Sequence, residues 1–338
     1  MSNLWKDRRV TITGGAGFIG TSLARQLIPL GAQVRLVDNL ERGRLEYVQA
    51  LPGRPEFMQA DLKDQAACQQ ALAGTEVLFH LAAKVSGIKV YVNQPGSVLT
   101  ANMLVDANVL TSIVAHRIPR VFYASTTHVY PEDLQQTPDA RPLMESDALP
   151  ARPGLSYGWG KLVSEISLLG LAREHTWLRV AIARICGAYG YNQDIALETG
   201  SVIPVFCHRA VRWPELRPFR IWGTGEETRS YCFIDDVVEG LLRCVAGLER
   251  QPVVGPLNLG AEGRHTIREI ADTVARVSGK AIDFEYDRSM KTSIWGQAIT
   301  NRMAQAELEG WQPTISLEEG IRRVYAHVQE RLSRTTSA

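Results

Sequence analysis

The stretch Val10-Thr11-Ile12-Thr13-Gly14-Gly15-Ala16-Gly17-Phe18-Ile19-Gly20 constrains the fold more than any other part of the chain. Val10 to Thr13 is a short β-branched run, the composition of a buried strand. Glycines follow at 14, 17 and 20, and a helical pattern continues through Ile28. Strand, glycine turn and helix in that order are the context of a dinucleotide fingerprint. Gly14 permits the tight turn, Gly17 has no Cβ to hold a pyrophosphate away, and Gly20 lets the helix pack against the strand. Phe18 and Ile19 open the helix, whose free N–H groups and positive dipole end would face the phosphates. The three glycines alone also suit an ordinary βα turn, so the next strand has to arbitrate.

That strand, Gln33 to Val37, ends at Asp38-Asn39. An acid there accepts hydrogen bonds from the adenosine ribose hydroxyls and repels a 2′-phosphate, which selects NAD over NADP. Arg35, Arg42 and Arg44 argue the other way, because an arginine welcomes that phosphate. With 37 basic and 36 acidic residues the formal net charge is +1, so no strong field points to nucleic acid or to an anionic membrane. The five cysteines (68, 186, 207, 232 and 244) show no paired C-x-x-C spacing. They read as reduced thiols of a cytoplasmic protein and not as staples or metal ligands. The first residues lack a signal-peptide core, and no apolar run is expected to reach membrane-spanning length.

Strand and helix patterns alternate through the first half. Glu56 to Ala60 reads as a third strand and delivers Asp61-Leu62, where a carboxylate can reach an adenine amino group. Asp64 to Leu72 reads as a helix with Asp64 as its N-cap. Val77 to Leu81 is a fourth strand that closes at Ala82-Ala83, small residues that let a strand end lie against a cofactor. His80 inside it reads as a satisfied core histidine. A long helix is expected over 97–116 with Asn102 on it. A fifth strand, Val121 to Ala124, then carries Ser125-Thr126-Thr127-His128 to its carboxyl end. The alternation predicts an α/β fold, a doubly wound parallel sheet of Rossmann type, with ligands at the carboxyl ends of its strands.

The proline- and acid-rich stretch 131–153 reads as a loop, 156–173 as a helix and 178–186 as a further strand. Beyond Gly190 the rhythm breaks. The expectation is a dinucleotide-binding domain over residues 1–186 and a smaller, interrupted lobe over 187–338. Pro256 to Leu259 is expected to return to the main sheet, and Leu317 to Leu332 to close the chain as an amphipathic helix.

Tyr157 and Lys161 are four residues apart on the predicted helix and share a face. An ammonium beside a phenol stabilises the phenolate and lowers the tyrosine pKa, so Tyr157 can serve as general base. Thr126 can hydrogen-bond the same substrate hydroxyl. Behind a dinucleotide turn and an acid-tipped strand, this pair reads as catalytic.

These residues together resemble the extended short-chain dehydrogenases/reductases, specifically the nucleotide-sugar epimerases and dehydratases. The resemblance rests on Gly14/Gly17/Gly20, Asp38, Asp61-Leu62, Leu81-Ala82-Ala83, Asn102, Ser125-Thr126 and Tyr157/Lys161. It extends to Ile221-Trp222-Gly223-Thr224-Gly225, Arg229 and Phe233-Ile234-Asp235-Asp236-Val237. It implies a tightly held NAD and a nucleoside diphosphate sugar in the smaller lobe, with Arg229 on the diphosphate and Trp222 in the substrate site. It also implies a homodimer through the helices at 97–116 and 156–173. Residues 82–89 look like those of GDP-fucose synthases, and 121–132 with 227–235 like those of GDP-mannose 3,5-epimerases, which favours a GDP-sugar. Lys84, Ser86, Lys89 and Thr127 are candidates to line the sugar site.

His128 stands where both relatives carry a cysteine. Oxidation of the sugar C4 hydroxyl makes the C3 and C5 protons acidic, and a histidine of ordinary pKa, about 6.5, can exchange one of them. The alternative role for His128 is to line the pocket. Ser201 replaces the second acid/base of those relatives, and Gly187 replaces an asparagine that contacts substrate. The function expected is an NAD-dependent nucleotide-sugar epimerase. A hydride-only 4-epimerase, an NADPH-dependent 4-keto-sugar reductase and a non-catalytic dinucleotide sensor are the alternatives.

Overall fold

The computed structural model describes residues 2–85, 88–289 and 294–336; Ser86 and the side chain of Lys89 lie outside the described residues. Its centre is a seven-stranded parallel sheet of β1 (Arg9–Thr13), β2 (Gln33–Asp38), β3 (Glu56–Gln59), β4 (Val77–His80), β5 (Arg120–Thr126), β6 (Arg179–Ile185) and β7 (Val253–Leu259). The spatial order is β3-β2-β1-β4-β5-β6-β7. The chain winds outward from β1 to one edge, then crosses back to β4 and winds to the other. The reversal opens a crevice at the carboxyl ends of β1 and β4. The doubly wound class read from the sequence is therefore the observed one, and the 256–259 segment does return, pairing Leu257–Leu259 with Ala183–Ile185.

Both faces of the sheet are covered, so its strands are apolar on both sides. Side chains alternate between two cores. Leu78, Val121, Tyr123, Val180 and Ile182 pack under the helices Gln65–Leu72, Pro95–Ala115 and Ser156–Glu174. Phe79, Phe122, Ala181 and Ala183 face the opposite core, which Phe18–Leu27 and Ile234–Gly247 enter with Leu23, Leu27, Leu241 and Val245. Asp64 caps its helix through the Ala67 amide at 2.9 Å, as its position predicts.

Two expectations need correction. The stretch 131–153 is not plain loop, since it contains short 3-10 turns at Glu132–Gln135 and Glu145–Ala148. The helix Pro95–Ala115 is, by length and composition alone, long and apolar enough to cross a bilayer. Here it buries Asn102, Asp106, Asn108 and Ser112 within the fold.

Beyond β6 the chain builds small sheets. Phe219–Trp222 pairs with Phe284–Asp287, and Thr228–Arg229 lies between His265–Thr266 and Gly296–Gln297. Residues before and after position 187 share one buried cluster. The closing helix Leu317–Thr336 packs on Val202–Val211 and Ile267–Ser278. Buried Asp236 anchors the segment leading into it. Oδ1 accepts from the Thr314 amide (3.1 Å) and hydroxyl (3.0 Å), and Oδ2 from the Ile315 amide (3.0 Å). Asp236→Ala leaves those donors without acceptors and is expected to cost about 3 kcal/mol in a urea unfolding titration.

Candidate active site

The glycine turn has the shape its residues predict. Gly14 sits at φ +68°, and a Cβ there would stand 3.0 Å from the Ala82 nitrogen. A Cβ on Gly20 would collide with the Gly14 carbonyl oxygen. The helix therefore starts directly over the turn, with Gly17 at its N-cap. Asp38 closes the far side, its Oδ2 accepting from the Ala16 amide (3.1 Å) and its Oδ1 from the Leu40 amide (2.8 Å). Burial raises the Asp38 carboxyl pKa, and these two amides pull part of it back.

Leu81 and Ala82 both donate backbone N–H to Thr13 Oγ1 at 3.2 Å, which ties the end of β4 to the turn. Ala83 follows, half-buried. Asn39 and Asp61 stand at the ends of β2 and β3. Their side chains accept from the amides of Glu41 and Lys63, each at 3.0 Å, with Leu62 buried beside Asp61.

A turn that excludes side chains, an acid at the end of β2 and small residues at the end of β4 fit a dinucleotide. Two of the arginines that argued for a 2′-phosphate are engaged elsewhere. Arg35 pairs with Glu56 at 2.9 Å and with the Ala71 and Ala73 carbonyls. Arg42 donates to the Val85 carbonyl (2.8 Å) and pairs with Asp194 (3.4 Å).

Two expected cofactor contacts turn inward. Asn102 accepts from the Lys84 amide (2.7 Å) and donates to the Lys84 and Val98 carbonyls, so it holds the loop after β4. The Lys84 ammonium lies 3.6 Å from Glu41. Ser125 donates to buried Glu165.

The catalytic candidates converge at the end of β5. Thr126 caps the short turn Thr127–Val129, its Oγ1 accepting from the His128 amide at 3.2 Å. The Thr126 hydroxyl proton has no acceptor among the described residues. The His128 ring stands edge-on to Tyr157 with centroids 6.0 Å apart, and Tyr91 stacks on Tyr157 at 5.3 Å. Gly158 makes this approach possible, because a Cβ there would run into the His128 carbonyl. Thr127 is buried beside the Cys186 thiol.

Charge in this site differs from expectation. Lys161 is fully buried, with its ammonium 4.5 Å from the Tyr123 ring centroid. Burial lowers the Lys161 pKa, while Asp106 and Glu165 oppose that shift. Tyr157 was expected to ionise easily. Burial instead holds its phenol well above the ordinary value, with Tyr91 and Asp106 adding to the shift. His128 was expected to have ordinary basicity. Burial and the Arg229 charge bring it down to about 4, so its imidazole is neutral at physiological pH.

Arg229 sits across the site, donating to the Thr228 (2.8 Å) and Ile294 (2.9 Å) carbonyls. Two of its five N–H groups are thus used in fixing the fork. Trp222 ends its strand with 43% of its surface exposed.

The fold and the glycine turn together define a dinucleotide-binding α/β protein, with Thr126, Tyr157 and Lys161 as its catalytic candidates. The family model described as the NAD dependent epimerase/dehydratase family matches residues 10–260. The chain belongs to that family, and its cofactor is NAD.

The chain is 28% identical over 329 residues to GDP-mannose 3,5-epimerase of Arabidopsis thaliana, covering 97% of this chain and 84% of that protein. It is 29% identical over 328 residues to UDP-glucuronic acid decarboxylase 1 of the same plant, covering 97% and 71%. Among solved structures, UDP-glucose 4-epimerase of Thermotoga maritima with UDP-glucose superposes with a TM-score of 0.84 at 26% identity, covering 96% and 99%. The UDP-glucose 4-epimerase of Thermus thermophilus in complex with NAD gives 0.81 at 26%, covering 95% and 99%.

Sequence reasoning missed Tyr91, Asp106, Glu165, Arg184 and the tight fit at Gly158. The only local signal was the i, i+4 spacing of Glu165 from Lys161. Gly20→Ala must push the helix off the turn. It is expected to weaken NAD binding at least tenfold, about 1.4 kcal/mol, in a calorimetric titration.

Proposed function

We propose that this enzyme is an NAD-dependent nucleoside-diphosphate-sugar epimerase acting through a transient 4-keto sugar. The observation that carries the reading is the convergence of Thr126, His128 and Tyr157 at the end of β5, with Lys161 one turn further along the Tyr157 helix. NAD held at the Gly14–Gly20 turn and Asp38 would supply a reversible hydride acceptor for the sugar C4, without net consumption.

Tyr157 takes the C4 hydroxyl proton, and Thr126, held by the His128 amide, donates to the same oxygen and aligns it. The high phenol pKa means that a nearby positive charge must favour the phenolate, and the cationic oxidised nicotinamide is one. Arg229 presents its remaining donors to the substrate diphosphate, and Lys84 and Trp222 are further candidates to meet the substrate. GDP-sugars head the candidate substrates, with support from the likeness to GDP-mannose 3,5-epimerase.

Within this reading His128 removes and returns a proton at C3 or C5. Its neutral state suits proton abstraction. Pairing of Arg229 with an anionic diphosphate would relieve the second cause of its low pKa. A second reading, hydride-only 4-epimerisation, is favoured by that same pKa near 4, which makes His128 a weak base.

Proton NMR of nucleotide sugars turned over in D2O separates the two. Deuterium at C3 or C5 is expected, and His128→Gln should abolish its incorporation while the bound NAD is still reduced. Inversion at C4 without deuterium assigns the hydride-only reaction. Tyr157→Phe should lower turnover by about 10²–10⁴-fold in either case.

We also propose a homodimer. The helices Pro95–Ala115 and Ser156–Glu174 pack together and expose Met103, Leu104, Trp159, Val163 and Ile166. Ile166→Glu is expected to halve the mass seen in sedimentation. The five buried free thiols suit a reducing compartment, and we place the protein in the cytoplasm.

A further inference from the structure

Behind the Tyr157–Lys161 pair lies a buried polar chain that the reaction as described does not use. Asp106, on the helix Pro95–Ala115, is 3% exposed. Its Oδ2 accepts from the Tyr123 hydroxyl (2.7 Å) and the Ser164 hydroxyl (2.6 Å), and its Oδ1 pairs with His80 Nε2 (2.9 Å). His80 Nδ1 is 2.7 Å from Thr13 Oγ1. That oxygen already accepts the amides of Leu81 and Ala82, so its proton goes to Nδ1, and Nε2–H donates to Asp106.

Three donors therefore converge on Asp106, and none of its neighbours needs a proton from it. That is the environment of a carboxylate. An asparagine would bring an NH2 group against hydroxyl and imidazole donors.

The allocation of buried charge says what the carboxylate is for. Two carboxylates act on Lys161, Asp106 and Glu165. Glu165 is already matched by Arg184, which holds it through Nε (3.0 Å) and Nη2 (2.7 Å). Asp106 is left to balance the ammonium. The two are joined through one side chain, because the Tyr123 ring that Lys161 caps carries the hydroxyl that donates to Asp106. Donation to an anion enriches that ring and strengthens its hold on the cation.

We propose that Asp106 is a positioning residue for the Tyr157–Lys161 pair. It is the buried counter-charge that keeps Lys161 an ammonium, and it couples the catalytic helix to the dinucleotide turn through His80 and Thr13. The assignment rests on the reading of Tyr157 as the base.

The balance of burial and charge around Asp106 agrees with the geometry. Burial works to raise the Asp106 carboxyl, yet the Lys161 charge and the His80 and Ser164 hydrogen bonds outweigh it and bring it to about 2. The groups facing Asp106 are His80 from β4, Tyr123 from β5, and Tyr157, Lys161 and Ser164 from the catalytic helix. Removing the anion eases ionisation of Tyr157 and destabilises the Lys161 cation, so both pKa values fall.

In NAD-loaded Asp106→Asn, both limbs of the kcat/KM pH profile for nucleotide-sugar turnover are expected to move about one unit lower. Ser164→Ala removes a hydrogen bond and keeps the charge, so its limbs should stay where the wild-type limbs are. Loss of activity with unmoved limbs in Asp106→Asn would reduce Asp106 to a structural role and overturn the proposal.

Should that variant not fold, Lys161→Met reads the coupling from the other side. Carbon NMR should show the Asp106 carboxyl titrating at least about one unit higher than in the wild-type protein. An unmoved carboxyl overturns the proposal whatever the turnover. A shifted carboxyl in the variant, beside a wild-type protein that turns over no nucleotide sugar, leaves the coupling intact and removes the epimerase reading instead.

Discussion

The helix Phe18–Leu27 can begin where it does because Gly14, Gly17 and Gly20 carry no Cβ, and the rest of the site depends on that approach. A methyl group at Gly20 would strike the Gly14 carbonyl, and one at Gly14 would press on Ala82. With none there, the free N–H groups of the first turn lie at the carboxyl end of β1. The parallel order then sets Asp38 on one side of the turn and Ala82 on the other. Thr13, the last residue of β1, holds the end of β4 to the turn through its hydroxyl.

From this junction the site extends along β5 to the helix that carries Tyr157. The same rule of close approach recurs there, since Gly158 lets the helix backbone rest on the His128 carbonyl. Contacts this close leave little room for water, and burial becomes the largest influence on the titratable groups that meet there. It raises Tyr157 and lowers Lys161 and His128. Buried charge is tolerable only when matched. Arg184 is matched by Glu165 and Lys161 by Asp106, so each of these two buried cations has a carboxylate within the protein.

Several parts of this arrangement were legible in the sequence because they are local. The glycine spacing, the acid ending β2, the small residues after β4 and the four-residue interval between Tyr157 and Lys161 each lie within one element or one turn. His80 was read as a satisfied core histidine, and Thr13 and Asp106 hold both of its ring nitrogens. Asp106 escaped notice because no neighbour in its own helix marks it and its partners are 17 to 58 residues away in the chain. Asn102 and Ser125 were placed correctly along the chain, but which groups they bond depends on neighbours from other elements.

The sequence by itself determined the parallel α/β class, the glycine turn after β1 and the placement of Tyr157 and Lys161 on one helix face. Those features depend on backbone permissiveness and helical periodicity, which act over a few residues. Only the tertiary structure decided the electrostatics. Whether His128 is basic, how high the Tyr157 phenol stands and which carboxylate balances Lys161 depend on burial and on charges brought together from distant strands and helices. Coulomb interactions and desolvation act through space, and the order of residues along the chain does not encode those distances.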